Sequence, residues 1–137
     1  MKVLIDSSAW IDFLNGARTP VAAEVERLLR EPGSDTIVTC GVVAAEVLQG
    51  LRRPGEFSRV QALFEDLEFR EPRGLSSYVR VADLFRKLRA RGVTVRSTID
   101  CLIAVTAEES RSLLLARDAD LERILASGLV DARLWPD

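Results

Sequence analysis

Residues 3–8 read VLIDSS, and the fold can be worked out starting from this stretch. Three β-favouring apolar residues in succession are typical of a strand that is buried on both faces. Asp6 follows directly, which places its carboxylate at the carboxyl edge of a sheet, where open α/β folds bind ligands. A buried strand that ends on a charged residue needs something to compensate that charge.

Outward from this strand, the chain alternates short apolar runs with amphipathic segments. Strands are predicted at 2–5, 36–39, 112–116 and 132–135, with a weaker extended piece near 69–71. Helices are predicted at 8–14, 20–31, 41–51, 57–67, 75–91, 97–110 and 118–127, the first with Ser7 as its N-cap. Alternating β and α units predict a parallel sheet covered by helices.

Length and composition restrict the class of protein. A chain of 137 residues is expected to form one domain, and 47% hydrophobic with 29% charged residues is ordinary for a globular protein. No apolar run reaches the ~20 residues that span a bilayer, and no signal peptide precedes the first strand, so we expect a cytoplasmic protein with no membrane partner. Cys40 and Cys101 lie among apolar residues and are predicted to be buried, inert thiols.

Two absences restrict the chemistry. The chain has no histidine, which excludes Ser-His-Asp and Cys-His catalysis and nearly all zinc enzymes. Lysine is limited to Lys2 and Lys87 and no P-loop motif is present, which argues against kinases, nucleoside triphosphatases and Schiff-base enzymes. An enzyme with this composition has to use carboxylates.

Several acidic residues lie where acids are unusual. Glu46 is inside GVVAAEVLQG, an otherwise apolar helix, and Asp100 is inside the similarly apolar STIDCLIAVTA. Asp118 follows the predicted strand at 112–116 much as Asp6 follows the first strand, and Asp120 comes two residues later. The charges of the other helices fall on polar stripes, which are solvated faces.

Each of these acids also has a structural interpretation. Asp6 and Asp118 could be turn residues or helix N-caps. Asp100 lies three residues after Ser97 and could complete a capping-box variant near the positive end of its helix. Glu46 is harder to explain, because a half-buried carboxylate without a basic partner costs several kcal/mol in desolvation, although an arginine from elsewhere in the fold could pair with it.

One explanation covers all four positions. If the carboxylates converge, their mutual repulsion requires a cation, and ligands made of oxygen alone select Mg²⁺ or Mn²⁺. The chemistry that fits such a site is metal-assisted hydrolysis of a phosphodiester.

The sequence resembles the PIN-domain ribonucleases and, among them, the VapC toxins of bacterial VapBC toxin–antitoxin modules. The motifs that carry the resemblance are VLIDSSAWIDFL at 3–14, AAEVLQGL at 44–51, STIDCLIAVTA at 97–107 and LLLARDADLERI at 113–124. The resemblance implies one PIN domain over 1–137, with a three-layer α/β/α fold and a parallel sheet of four to five strands. It also implies a homodimer.

The same resemblance implies a function and a site. The function is that of an endoribonuclease dependent on Mg²⁺ or Mn²⁺, which inhibits translation by cleaving tRNA or rRNA and is neutralised by a VapB-type antitoxin. The implied catalytic and metal-binding residues are Asp6, Glu46, Asp100 and Asp118, with Ser7 as a hydroxyl that holds a carboxylate or a metal-bound water and Asp120 as a further ligand.

The last motif departs from the family pattern. Where many relatives have asparagine or histidine before the first acid and an aromatic residue after the second, this chain has Arg117 and Leu121. Both acids are kept, and we favour Asp118 over Asp120 as the nearer ligand because it is closer to the end of the strand.

RNA as a substrate has to be compatible with a net charge of −2. The site acids supply four negative charges, of which a bound divalent ion would offset half, and arginine suits bidentate contact with phosphate. Arg91 and Arg96 flank the helix that carries Asp100 and are the predicted RNA contacts. Apolar side chains that could form a groove for an antitoxin helix, although most are expected in the core, are Phe13, Leu14, Phe57, Leu63 and Phe64.

Other α/β modules also have an aspartate at the end of their first strand. A phosphatase-like module needs a second acid in the first motif, where this chain has Ser8, and a receiver-like module needs adjacent acids and a lysine that are both missing. A PIN nuclease that processes RNA without being a toxin, or a degenerate PIN domain that only binds, remain alternatives. Retention of four mutually repelling acids argues against the degenerate form.

Overall fold

A computed structural model of the chain describes residues 1–136, and residue 137, the last of the predicted domain, lies outside this range. The elements are β1 (Lys2–Ile5), α1 (Ser7–Leu14), α2 (Pro20–Arg30), β2 (Thr36–Thr39), α3 (Gly41–Gln49), α4 (Glu56–Glu65), β3 (Glu68–Phe69), α5 (Leu75–Ala90), α6 (Thr98–Ser110), β4 (Ser112–Leu115) and α7 (Ala119–Ala126). The predicted alternation of strands and helices is confirmed.

The four strands form one parallel sheet in the order β3-β2-β1-β4. Leu4 of β1 lies opposite Val38 of β2 on one side and Leu114 of β4 on the other. From β1 the chain adds β2 and β3 outward in one direction and later adds β4 on the opposite side of β1. The order therefore reverses between β1 and β4, and such a reversal opens a crevice at the carboxyl ends of the strands.

The predicted strand at 132–135 was wrong. This segment makes a single bridge between Leu114 and Leu134, in which the Leu114 N–H donates to the Arg133 carbonyl at 2.8 Å. The Trp135 N–H donates in turn to the Leu114 carbonyl at 2.9 Å. Pro136 follows, and a proline has no N–H with which to extend a ladder.

The core surrounds β1 and α6. Val3, Leu4 and Ile5 are inaccessible to solvent, as a continuous apolar run in a central parallel strand predicts. In α6 every residue from 101 to 107 is buried, because α5, α7 and the sheet pack around it. The enclosed part begins directly after the first turn, which carries Asp100 and reaches the surface. Both cysteines are free and buried, and burial raises the pKa of the Cys40 and Cys101 thiols to about 11, which agrees with the prediction of inert thiols.

Helix starts agree with the sequence patterns except at α1. Thr19 caps α2 through its hydroxyl and Pro20 occupies the first turn, as predicted. The N-cap of α1 is Asp6 and not Ser7, because the Asp6 carboxylate accepts the hydrogen bond from the Ser8 N–H at 3.0 Å. Aspartate and serine cap equally well, so composition alone does not distinguish the two positions. Within residues 1–136, no helix has both the length and the apolar character needed to cross a membrane.

Candidate metal centre

Acids follow the carboxyl ends of both β1 and β4, where the strand order reverses. Asp6 comes directly after β1, and Asp118 lies three residues after β4 as the N-cap of α7. The Asp6 N–H donates to the Leu115 carbonyl at 2.9 Å, which ties the two strand ends together. The fold therefore brings together two acids that are far apart in the sequence.

Asp100, Asp118 and Asp120 form the closest group of acids. One carboxylate oxygen from each of the three lies within 4.8 Å of the others. Asp100 is in the first turn of the enclosed helix α6, while Asp118 and Asp120 are at the start of α7. This spacing is compatible with oxygens that share one cation.

Asp6 and Glu46 are electrostatically coupled to this group. Burial and then the charge of Asp118 raise the pKa of Asp6, although hydrogen bonds from Ser8 act in the other direction. Burial and the charge of Asp6 raise the pKa of Glu46. Burial, followed by the charges of Asp118 and Asp6, raises the pKa of Asp100 to about 7. The four predicted acids therefore lie in one repulsive field.

A divalent cation fits this set of acids. Over the described part of the chain, none of Asp6, Glu46, Asp100 and Asp118 forms an ion pair with a lysine or an arginine. The donors are all carboxylate oxygens, which suit Mg²⁺ or Mn²⁺ and do not suit zinc or copper. A cation at this position would relieve the repulsion that raises the pKa values.

The two serines after Asp6 have different partners. The Ser8 hydroxyl donates to the Asp6 Oδ2 at 2.6 Å, so Ser8 holds the first acid by its side chain as well as by its N–H. The Ser7 hydroxyl reaches Glu46 Oε1 at 3.4 Å, at the outer limit of a hydrogen bond. Ser8 was not predicted to be a site residue. An aspartate side chain that accepts from the N–H two residues later is nevertheless a recurrent local pattern.

The structural interpretation of Asp118 as an N-cap is confirmed and involves one of its two carboxylate oxygens. Its Oδ1 accepts hydrogen bonds from the Asp120 N–H at 2.8 Å and the Leu121 N–H at 3.1 Å, so it is the N-cap of α7. Within residues 1–136 its Oδ2 accepts no hydrogen bond and remains for a cation. Asp100 does not take part in a capping box, because the Ser97 hydroxyl caps α6 by accepting from the Ile99 N–H at 3.0 Å.

Asp120 differs from its neighbours because arginines neutralise it. Its Oδ2 accepts from both the N–H and the Nε of Arg96 at 3.2 Å, and its Oδ1 contacts the Arg123 guanidinium. These hydrogen bonds, led by the Arg96 N–H, hold the pKa of Asp120 below its usual range. Asp120 is thus an anchor for two arginines, and the site places Arg96 beside the acids. Arg91 lies elsewhere and donates to the Ser127 carbonyl at 3.1 Å.

Arg117, which departs from the family pattern, turns its side chain away from the cluster. Its Nε and one terminal nitrogen donate to the two oxygens of Asp12 at 2.6 and 2.7 Å. It therefore adds no cation to the four acids, and the departure leaves the site open.

Comparison with known proteins identifies the family. The family model for the PIN domain matches residues 3–125. This chain belongs to the PIN-domain family. Ribonuclease VapC11 of Mycobacterium tuberculosis is 33% identical over 122 residues, which cover 89% of this chain and 90% of that protein. A VapC ribonuclease of Mycobacterium bovis matches with the same identity and coverage, so the chain falls within the VapC group of PIN domains.

Solved structures of the family have the same fold. The VapBC2 complex of Rickettsia felis, bound to a DNA fragment from its promoter, contains a chain that matches with a TM-score of 0.70 and 18% identity, covering 98% of this PIN-domain chain and 99% of that one. VapBC-1 of nontypeable Haemophilus influenzae matches with a TM-score of 0.70 and 17% identity over the whole of both chains. The PIN-like α/β/α architecture is confirmed.

Proposed function

We propose that this PIN-domain chain is an endoribonuclease dependent on Mg²⁺ or Mn²⁺, and that it is the toxin of a type II toxin–antitoxin module. It inhibits translation by cleaving tRNA or rRNA, and a VapB-type antitoxin neutralises it. The observation that carries the proposal is the convergence of four acids without a basic partner at the carboxyl edge of the sheet. The sequence similarity to VapC ribonucleases supports the choice of RNA as the substrate.

The cation would be held by the unpaired carboxylates. Asp6 and Asp100 are the main ligands in this proposal, with Asp118 through its Oδ2 and Glu46 completing the site. Bound there, a divalent ion supplies activation of a water nucleophile and neutralises charge on the leaving oxygen. Asp120 is a poor ligand by comparison, because both of its oxygens already contact arginines.

The protein's own residues prepare the site in three ways. Ser8 fixes the direction of the Asp6 carboxylate through two hydrogen bonds to one oxygen. The Ser7 hydroxyl lies 3.4 Å from Glu46 Oε1 and can donate a weak hydrogen bond to it. The backbone N–H and the Nε of Arg96 are held by Asp120, while 81% of its side chain is exposed. The terminal nitrogens of its guanidinium can therefore contact a backbone phosphate of the RNA next to the scissile bond. The weaker assignment is Arg91, whose guanidinium is engaged with the Ser127 carbonyl.

The antitoxin is expected to use the same acids together with an apolar groove. An arginine from a partner could pair with two carboxylates at once through its fork of donors, which would occupy the metal site. Phe57 is exposed and lies on α4, so it is available to an apolar partner helix, whereas Phe64 is buried in the core. The side chains that are packed against the core and only partly exposed are Phe13, Leu14 and Leu63.

The direct test is cleavage by the purified chain. Incubation with total RNA and Mn²⁺ should give discrete cuts that 5′-end mapping locates, and EDTA should prevent them. Analytical ultracentrifugation of the same sample tests the predicted homodimer. Metal binding without any cleavage would instead support a degenerate PIN domain that only binds RNA or a partner.

A growth experiment separates the toxin from an RNA-processing nuclease. Expression of the chain alone should stop growth, and co-expression of a small protein encoded beside it should restore growth. Asp6→Asn should be harmless alone and should still bind the partner, because the groove is unchanged. If the wild-type chain cleaves RNA in vitro but does not affect growth, and no adjacent small protein binds it, the RNA-processing function is the correct one.

A further inference from the structure

An ion pair between a buried aspartate and an exposed arginine joins α1 to the turn between β4 and α7, outside the four-acid cluster. Arg117 donates two parallel hydrogen bonds, at 2.6 and 2.7 Å, to Asp12, which is 105 positions away in the sequence. Asp12 is almost fully buried and also accepts from the Thr19 hydroxyl at 3.0 Å. Because Thr19 is the N-cap of α2, the pair is fixed to two helices.

The main chain of Arg117 touches the metal centre from the other side. Its N–H donates to the Ser8 hydroxyl at 3.0 Å, and this hydroxyl donates to the Asp6 Oδ2 at 2.6 Å. Arg117 also directly precedes Asp118 in the sequence. Arg117 therefore holds the Ser8 hydroxyl, which orients Asp6, and is bonded directly to the backbone of Asp118.

We propose that Asp12 and Arg117 are positioning residues for the metal centre, which they hold through Ser8 and the backbone of residue 118. The charges of Asp6 and Asp118 repel each other, so a turn without this support would relax and separate them. A bidentate contact between guanidinium and carboxylate is strong and directional, which suits it to fix a turn against repulsion. The proposal rests on the proposed function, since it assumes that the four acids bind a cation.

A merely stabilising ion pair and a positioning pair predict different metal affinities. The Asp12 carboxylate is 9% exposed and would lose its partner, so a fall in thermal stability is expected from either role and does not separate them. If electrostatics alone mattered, removal of the positive charge of Arg117 would tighten binding of a cation and removal of the negative charge of Asp12 would weaken it. If the pair positions the acids, both changes weaken binding.

The experiment is a Mn²⁺ titration of the full chain by calorimetry, with electron paramagnetic resonance of free Mn²⁺ as a second measure. Arg117→Gln and Asp12→Asn should each raise the Kd about 10-fold or more, the range found when residues behind metal ligands are replaced. The controls are Lys87→Gln and Asp83→Asn, which make the same charge changes in an ion pair of 2.8 Å on α5. Both controls should leave the Kd unchanged.

Arg117→Lys keeps the positive charge but loses the two parallel hydrogen bonds to Asp12. It should raise the Kd for Mn²⁺ several-fold, and it replaces Asp12→Asn in the test if that variant, changed at a buried position, fails to fold. At limiting Mn²⁺ the variants should cleave RNA slowly, and at saturating Mn²⁺ the rate should recover.

Two results would overturn different parts of this interpretation. Tighter or unchanged Mn²⁺ binding by Arg117→Gln and Arg117→Lys, in samples that are folded at the titration temperature, would show that the pair does not position the site. Absence of Mn²⁺ binding by the wild-type chain would instead reject the metal centre itself and with it the proposed function.

Discussion

Asp6 and Asp120 are both buried, with 3% and 1% of their surface exposed, yet their pKa values move in opposite directions. Burial raises the pKa of Asp6, and hydrogen bonds from Arg96 lower that of Asp120. The unpaired set comprises Asp6, Glu46, Asp100 and Asp118, and the paired set comprises Asp12 and Asp120, each bound to arginine. The presence of an arginine partner, and not the depth of burial, therefore separates the acids that we propose as metal ligands from the other two.

The largest effect is expected on cleavage when the unpaired set loses a member. Asp6→Asn and Asp100→Asn remove a ligand charge with little change in volume, so RNA cleavage should fall at least about 100-fold because metal activation is worth several kcal/mol. Rates measured on a fluorescent RNA with Mn²⁺ check this, with Asp83→Asn as the control. Near-normal rates in either variant would remove that residue from the site.

Metal binding should change stability through the unpaired set alone. A cation at 100 times its Kd adds about 2.7 kcal/mol to the free energy of unfolding, which is roughly 5 to 10 °C in Tm for a domain of this size. Thermal unfolding with EDTA and with Mn²⁺ measures the shift. Asp100→Asn should lose most of it, and the Asp83→Asn control should keep it. A Tm indifferent to both reagents in the wild-type chain would contradict a preformed centre.

Without metal, the two sets should respond to neutralisation with opposite signs. Asp100→Asn removes a repelled charge and should raise the Tm in EDTA. Asp120→Asn leaves Arg96 and Arg123 without their carboxylate and should lower it. Circular dichroism of the two variants side by side is sufficient. Tm shifts of the same sign in the two variants would mean that the unpaired and paired acids do not differ in their effect on stability.

The smallest effect is a pH dependence of that stability difference. The pKa of Asp100 is about 7 in the folded chain, above its ordinary value near 4 in an unfolded one. Below about pH 4 the residue is protonated in both states, so Asp100→Asn and the wild type should differ little. Between about pH 4 and 7 the unfolded state ionises first, so the advantage of Asp100→Asn should grow, and above 7 it should be constant.

Asp120→Asn provides the matching control, because the pKa of Asp120 is lowered. Its charge stabilises the fold above its unfolded pKa near 4, and that contribution is lost only as the pH falls further. The Tm deficit of Asp120→Asn should therefore be constant from pH 5 to 8 in EDTA. A difference for Asp100→Asn that is also flat over this range would contradict the repulsion assigned to that residue.

Sequence patterns predicted the parts of this molecule that depend on local periodicity. The buried strand at 3–5 and the apolar helix around Glu46 are set by residues that are neighbours in the sequence. The same patterns made Glu46 and Asp100 conspicuous, because a charge inside an apolar run is visible without a structure.

Partnerships between distant residues were not predictable. Nothing local to Asp120 indicates that Arg96 will neutralise it, and nothing local to Arg117 indicates that it will turn toward Asp12. The strand predicted at 132–135 failed for a related reason, since its sequence suits a strand and only the packing next to β4 decides how much of it pairs. Pairing partners are chosen by the tertiary fold.

The position of β1 between β2 and β4 also has a consequence in time. Chains are synthesised at about 5–20 residues per second, so roughly 6 to 20 s separate the appearance of Asp6 from that of Asp118. During that interval β1 has no neighbour on its β4 side. Asp118 has not yet been made, and the helix that carries Asp100 lacks β4 and α7 to pack against. The set of acids that we propose as the metal centre is therefore incomplete until α7 has been made and has folded onto α6.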